Sequence, residues 1–312
     1  MTRDIKVGKT IAVEKRTQFV FCIILTGVML FFSSPIKEAV IGAIRLCAYN
    51  VIPTLFPFFI LADLWVISSQ DSTGLISRIF EKIFRINGCA ASAFITGIIC
   101  GFPLGARTAV RLYERGLVSR EELRDLCAFI NNPSAAFVIS GVGMGIHGSL
   151  SAGVLLYISI LLSALLMGVL LRKKHQKSKK QNEISEQKFD LVESIKGAAF
   201  SSISISAYII FFSGVIGIVS FCFKNLLVLL VFSAFSEVSN ATVIIADILP
   251  KGNILTLCVT AFALGFSGFS VHLQTFSFLP KELSRSHYIL MKLIEGALAA
   301  MITAILCTLF LR

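Results

Sequence analysis

Ionisable residues are scarce in this chain. Asp, Glu, Lys and Arg make up 15% of its 312 residues, against 55% hydrophobic residues and a mean hydropathy of +0.83. That scarcity excludes a water-soluble single domain of this size and leaves a polytopic membrane protein. The eight cysteines include no Cys-x-x-Cys pair and lie mostly in apolar runs, so they read as small buried hydrophobes rather than a disulfide framework or metal ligands. A Ser-His-Asp order, a His-Glu-x-x-His run and a paired-carboxylate constellation are also missing. The glycine-rich stretch at residue 101 lacks the Lys-Ser/Thr ending of a phosphate loop. No enzymatic activity, ATP use, metal or organic cofactor is therefore expected; Na+ or H+ is left as a candidate coupling ion.

What charge there is sits in telling places. The formal net charge of +11 comes from an N-terminal arm (Arg3, Lys6, Lys9, Lys15, Arg16) and from the run Arg172 to Lys180, both beside apolar segments. This is the positive-inside signature, and it argues against nucleic acid as a partner and for a lipid bilayer. The N-terminus and the 172–188 loop are expected on the cytoplasmic side. The first apolar run, 18–34, shows no small-residue cleavage pattern and reads as a retained helix.

Ordinary spans are expected at 18–34, 40–68 and 149–171, and an even number of crossings between two cytoplasmic segments requires one more from residues 88 to 147. Arg78, Lys82 and Arg85 precede the stretch Gly101-Phe102-Pro103-Leu104-Gly105-Ala106-Arg107, and Arg107, Arg111, Arg115, Arg120 and Arg124 follow its break. With basic residues on both flanks, 89–106 is expected as a re-entrant hairpin. Residues 124–147 then supply the crossing as a helix broken at Asn131-Asn132-Pro133, where Pro133 removes a donor and disfavours helix at Asn132.

A second interruption, Gly265-Phe266-Ser267-Gly268-Phe269-Ser270, falls at the matching place in the other half, and residues 88–103 align without gaps to 252–267. Ile52–Ser68 also resembles Ile203–Val219, and each aligned stretch is expected to lead into a polar-interrupted helix. By charge the span 40–68 runs inward and 199–223 outward, so the halves read as inverted, provided that 226–249 does not cross fully. The expected architecture is an all-α polytopic membrane protein with inverted repeats, two re-entrant hairpins and broken transmembrane helices. Its parts are an arm and first helix at 1–35, a first repeat at 36–171, a basic loop at 172–194 and a second repeat at 195–312. Paired breaks of this kind point to a transporter's solute site.

Taken in order, Gly-Phe-Pro-Leu-Gly-Ala-Arg, Tyr113-Glu114-Arg115-Gly116, Asn131-Asn132-Pro133-Ser134, Glu237-Val238-Ser239-Asn240 and the run from Gly265 to Gln274 resemble the sporulation integral membrane proteins of YlbJ type, which carry nucleoside-recognition (Gate) domains. The resemblance covers roughly residues 40 to 311. It implies a bacterial cytoplasmic-membrane protein, a link to endospore cortex or envelope formation, and a distant likeness to concentrative nucleoside transporters, which use two re-entrant hairpins and two broken helices around a midplane site. The Gly-Gln-Thr-Glu-Ala-Pro-type tip of those carriers is missing, so their substrate does not carry over.

Several residues can serve a solute, and each has a plainer reading. Gly101, Pro103 and Gly105 can present half-helix N-termini to a ligand, or Gly97, Gly101 and Gly105 can form two Gly-x-x-x-Gly steps for close packing. Arg107 can pair with Asp63, which equally suits an interfacial place beside Trp65. Asn131 and Asn132 offer donors and acceptors to a solute or ion, or cap the helix that starts near Pro133. Glu237 and Asn240 share one face as an ion or proton site, or stand at a helix end at the outer interface. Ser267, Ser270, His272 and Gln274 follow the second interruption as further candidates, whereas His147 reads as simply hydrogen-bonded. The expected function is binding or transport of a small polar solute; the alternative is a non-transporting scaffold or assembly factor for sporulation. A homo-oligomer or other sporulation membrane proteins are the candidate partners.

Overall fold

The computed structural model of the chain describes residues 19–20, 22–68, 74–172 and 190–310, and among these there are helices but no strand. In chain order they are α1 (Cys22–Phe31), α2 (Ser33–Leu46), a π-helical turn (Cys47–Val51), α3 (Ile52–Ser68), α4 (Leu75–Phe84), a 3-10 turn (Gly88–Ala90), α5 (Ala91–Cys100), α6 (Leu104–Glu114), α7 (Arg120–Ile130), a π-helical segment (Ala136–Ile146), α8 (Leu150–Leu170), α9 (Leu191–Cys222), α10 (Leu226–Ser236), α11 (Val238–Ile248), α12 (Ile254–Phe266), α13 (Gly268–Phe278) and α14 (Arg285–Phe310). Four helical stretches are long and apolar enough to cross a membrane, or up to six if each of two bent pairs is one span. This is a membrane protein.

The apolar run expected as a span at 18–34 does not continue straight into the next helix. The described helix α1 meets α2 at an angle of 82°. Phe32 leaves helical geometry at φ −95°, ψ 25°, and Pro35, which has no N–H, cannot continue the ladder of α1. The charged arm and the 172–188 loop, on which the sidedness expectation rests, lie outside the described residues except for Arg172.

The same order of elements occurs twice: a helical hairpin, an interrupted helix, then an unbroken helix packed antiparallel along it. In the first half α5 folds back onto α6 through Gly97 and Gly105; a methyl added at Gly105 would lie 2.8 Å from Gly97 Cα. Next, α7 and the π-helical segment run along α8. Phe129 meets Gly168 (3.1 Å from an added methyl) and Gly143 meets Gly153 (3.0 Å), so position rises on one rod as it falls on the other. Ser119 starts this rod with a reciprocal capping box: Glu122 N donates to Ser119 Oγ at 3.2 Å, and Ser119 N to Glu122 Oε2 at 2.7 Å.

In the second half the fold-back lies at Glu237. Leu230 and Ala234 of α10 share a core cluster with Ala241 and Ile245 of α11, pairs placed symmetrically about the turn. The segment 226–249 therefore does not run straight through. The expectation that Gly265–Ser270 forms the second hairpin tip is overturned. Residues 254–278 make one span-length stretch of 25 residues, interrupted only at Ser267. The reason is local: two successive residues at positive φ, Ser267 (φ 74°, ψ −9°) and Gly268 (φ 76°), break the hydrogen-bond ladder without reversing the chain, while extended Glu237 (φ −150°, ψ 120°) turns α11 back onto α10. The helix expected to be polar-interrupted after this stretch is instead continuous over Arg285–Phe310. It packs along α12, where a methyl on Gly265 would lie 2.9 Å from Gly296 Cα.

Candidate functional site

The first break spans Asn131 to Ser134, between α7 and the π-helical segment. Breaking a helix frees carbonyls that apolar surroundings cannot satisfy. Here α14 meets one of them, that of Asn131. The Lys292 ammonium donates to Asn131 O (2.9 Å), Asn132 Oδ1 (3.2 Å) and Glu295 Oε2 (2.5 Å). Lys292 and Glu295 stand three residues apart on one face of α14, both fully buried. Asn132 Nδ2 donates back to Phe129 O at 2.8 Å, so this side chain is committed at both ends. The Asn131 amide nitrogen donates to Thr275 Oγ1 (2.8 Å) on α13 and Tyr288 OH (2.7 Å) on α14. The first hairpin tip closes the break from the other side: Gly101, at φ 80°, packs so tightly on Ser134 that any Cβ would collide with its backbone nitrogen.

The second break repeats this arrangement with other residues. Gly268 (φ 76°) lies against the second hairpin tip, where an added methyl would sit 3.1 Å from Ser236 O and 3.2 Å from Glu237 N. Glu237 caps α11: Oε1 accepts from Ser239 N (3.0 Å), and Oε2 from Asn240 N (2.8 Å) and Asn240 Nδ2 (2.9 Å). A carboxylate is favoured there by the positive end of the helix. Asn240 Nδ2 also donates to Ser213 Oγ of α9 at 2.9 Å, and Ser267 Oγ donates to Leu264 O at 3.1 Å.

Between the breaks lies α13. His272, fully buried, is ringed by Phe266 (4.7 Å between centroids), Phe269 (5.8 Å) and Tyr288 (5.3 Å), and neither ring nitrogen has a hydrogen-bond partner. Asn131 Oδ1, Gln274 Oε1 and Glu295 Oε1 are buried without partners as well. Gln274 Nε2 reaches Ser270 Oγ at 3.4 Å. Tyr288, bonded to Asn131 and stacked edge-on to His272, joins the two.

The candidates read from the sequence thus fall into separate places. Asn131, Asn132 and His272 gather at the first break around Tyr288 and Lys292, with Ser270 and Gln274 on the same helix as His272. Glu237, Asn240 and Ser267 gather at the second break. Gly101, Pro103 and Gly105 build the first tip; Pro103, following a cis peptide bond, precedes α6, and Gly105 lets Ile130 O approach. Arg107 turns elsewhere, donating to Ser201 Oγ of α9 at 2.7 Å and lying over the Phe59 ring of α3. The Asp63 side chain, its suggested partner, lies outside the described residues. His147 Nε2 sits 3.4 Å from Thr260 Oγ1. Among the described residues no group of three His, Cys, Asp or Glu side chains is placed to hold a metal ion. Lys292, Glu295, Thr275 and Tyr288 escaped the sequence reading of the site, although a Lys and a Glu one turn apart inside an apolar helix are a signal in themselves.

No family model matches the chain, and no solved structure matches it. Over 124 residues it is 32% identical to the sporulation integral membrane protein YlbJ of Bacillus subtilis strain 168, a match that covers 39% of this chain and 30% of that protein. The chain therefore matches less than a third of the length of that curated relative.

Proposed function

We propose that this membrane protein is linked to sporulation and binds, or moves across a bacterial cytoplasmic membrane, a small polar solute rich in hydrogen-bond donors. The link to sporulation rests on the name of the partial relative. The solute reading rests on one observation: buried acceptors at Asn131 and Glu295, beside a buried His272, have no partner within the protein. Idle acceptors in such a place cost free energy unless water or a ligand meets them. Nucleosides, with hydroxyl and amino donors, are one class that fits, and H+ or Na+ is the coupling ion to be decided between.

The element order supports alternating access. If α3, the interrupted helix and α8 each cross, the first half has three crossings, and an odd number inverts the second half (α9, interrupted helix, α14) relative to the first. The two hairpins then enter from opposite faces. With a further crossing by α1 the N-terminus and the 172–188 loop share the cytoplasmic side: tags at both places, protected in intact cells, would agree with this sidedness, and an exposed tag at either would overturn it.

The direct test is thermal stability of the purified protein against a panel of nucleosides, peptides and small acids. A specific ligand raises Tm by mass action, by about 2.7 kcal/mol of stabilisation at one hundred times Kd. Asn131→Ala and His272→Ala are expected to abolish the shift while the protein stays folded. The scaffold alternative draws on Glu237 and Asn132, whose side chains are fully used inside the protein. It predicts no shift with any compound, and greater damage from substitutions in the 172–188 loop than at the breaks.

A further inference from the structure

We propose that Lys292 is a tethered cation, built into the first break at the place where a dissociable monovalent cation would otherwise bind. The ammonium sits among three oxygens of different origin: the main-chain carbonyl of Asn131, the carboxamide of Asn132 and the carboxylate of Glu295. An unwound carbonyl at the C-terminal end of a half-helix is the kind of ligand that membrane proteins offer to alkali ions. Partial negative charge at the end of α7 and the charge of Glu295 both favour a cation there. The ammonium has three N–H donors and the cage offers it three oxygens, so the donor and acceptor numbers match. The remaining neighbours that can titrate are His272 on α13 and Tyr288 on α14. Neither donates to the cage oxygens, and Lys292 holds the place by itself.

For the permease reading, on which this part of the inference rests, the consequence is that solute binding needs no sodium at this break. The cage itself is tested without any solute. Tm of the purified wild-type protein is compared in NaCl, KCl and choline chloride at equal ionic strength, and the expected result is the same value in all three. Lys292→Ala is expected to lower Tm in choline chloride and to regain at least half of the loss, in a saturable manner, with ammonium or methylammonium, which enter the vacated cage. The paired variant Lys292→Met/Glu295→Gln, lacking both charges, is expected to fold and to respond to none of these cations. A wild-type Tm that rises specifically with sodium would overturn the proposal. So would a folded Lys292→Ala protein that no small cation restores, or a paired variant that small cations still stabilise. If Lys292→Ala cannot be isolated, the wild-type comparison and the paired variant decide between the same outcomes. Failure of the solute panel would leave these results standing, because none of them involves a solute.

Discussion

At the scale of single residues, buried charge and buried backbone set the largest effects. Glu295→Ala strands the Lys292 ammonium among carbonyls and is expected to destabilise by about 3–5 kcal/mol, read as a lowered Tm, whereas removing both charges together costs far less. Glycines give a second, graded test. Gly101 and Gly148 both hold positive φ (80° and 68°), but a methyl at Gly148 meets nothing within 4 Å, whereas one at Gly101 strikes the Ser134 backbone. Alanine at position 148 is therefore expected to cost about 1–2 kcal/mol, the left-handed penalty alone. Alanine at 101 is expected to cost clearly more and to reduce the amount of folded protein in membranes; equal losses at the two sites would contradict the close contact of tip and break. Asn131-Asn132-Pro133 was legible in the sequence because proline removes a donor and disfavours helix at the residue before it, and two carboxamides beside it add polar groups that an apolar helix does not need. Lys292 was not, although Glu295 stands one turn away, because only the position of the Asn131 carbonyl identifies what the pair meets.

Among elements, the least legible was the second hairpin. Leu226 to Ile248 is apolar enough to read as a single rod, and one glutamate at its centre does not announce a reversal. The glycine-rich motif at 265–270 does look like a turn, yet its two residues at positive φ, Ser267 and Gly268, interrupt the helix without folding it back. Cross-linking separates the two pictures. In one continuous helix, positions 230 and 245 would be about 22 Å apart, whereas in the fold-back both belong to one packed cluster. Cysteines at 230 and 245, in a background without the native ones, are expected to be joined by a short bifunctional reagent; if no product forms, the hairpin is wrong. The amphipathic α4 follows simpler rules: Leu75, Ile76, Ile79 and Ile83 are exposed, Phe80 and Phe84 are buried against the core, and Arg78 and Lys82 lie on the same helix. Such a helix suits the headgroup layer. Replacing Ile79 with Asp is expected to weaken membrane retention or abundance without moving the Tm of protein already in detergent.

For the whole molecule, hydropathy alone established the class, because so much apolar surface has to be covered by protein or by bilayer lipid. The alignment of 88–103 to 252–267, on which the two-repeat expectation rests, sets a hairpin arm against an interrupted span. Helices of similar composition align easily, and only packing distinguishes a chain that folds back from one that continues. What neither half displays by itself is their mutual bracing. The helix α14 lies along the interrupted pair α12 and α13, packs on α8, and also reaches the other interruption through Lys292. A strut pinned to both seams makes them mechanically one joint: a displacement at either is felt at the other, and a lesion anywhere along its inner face should disturb the two ends of the molecule together.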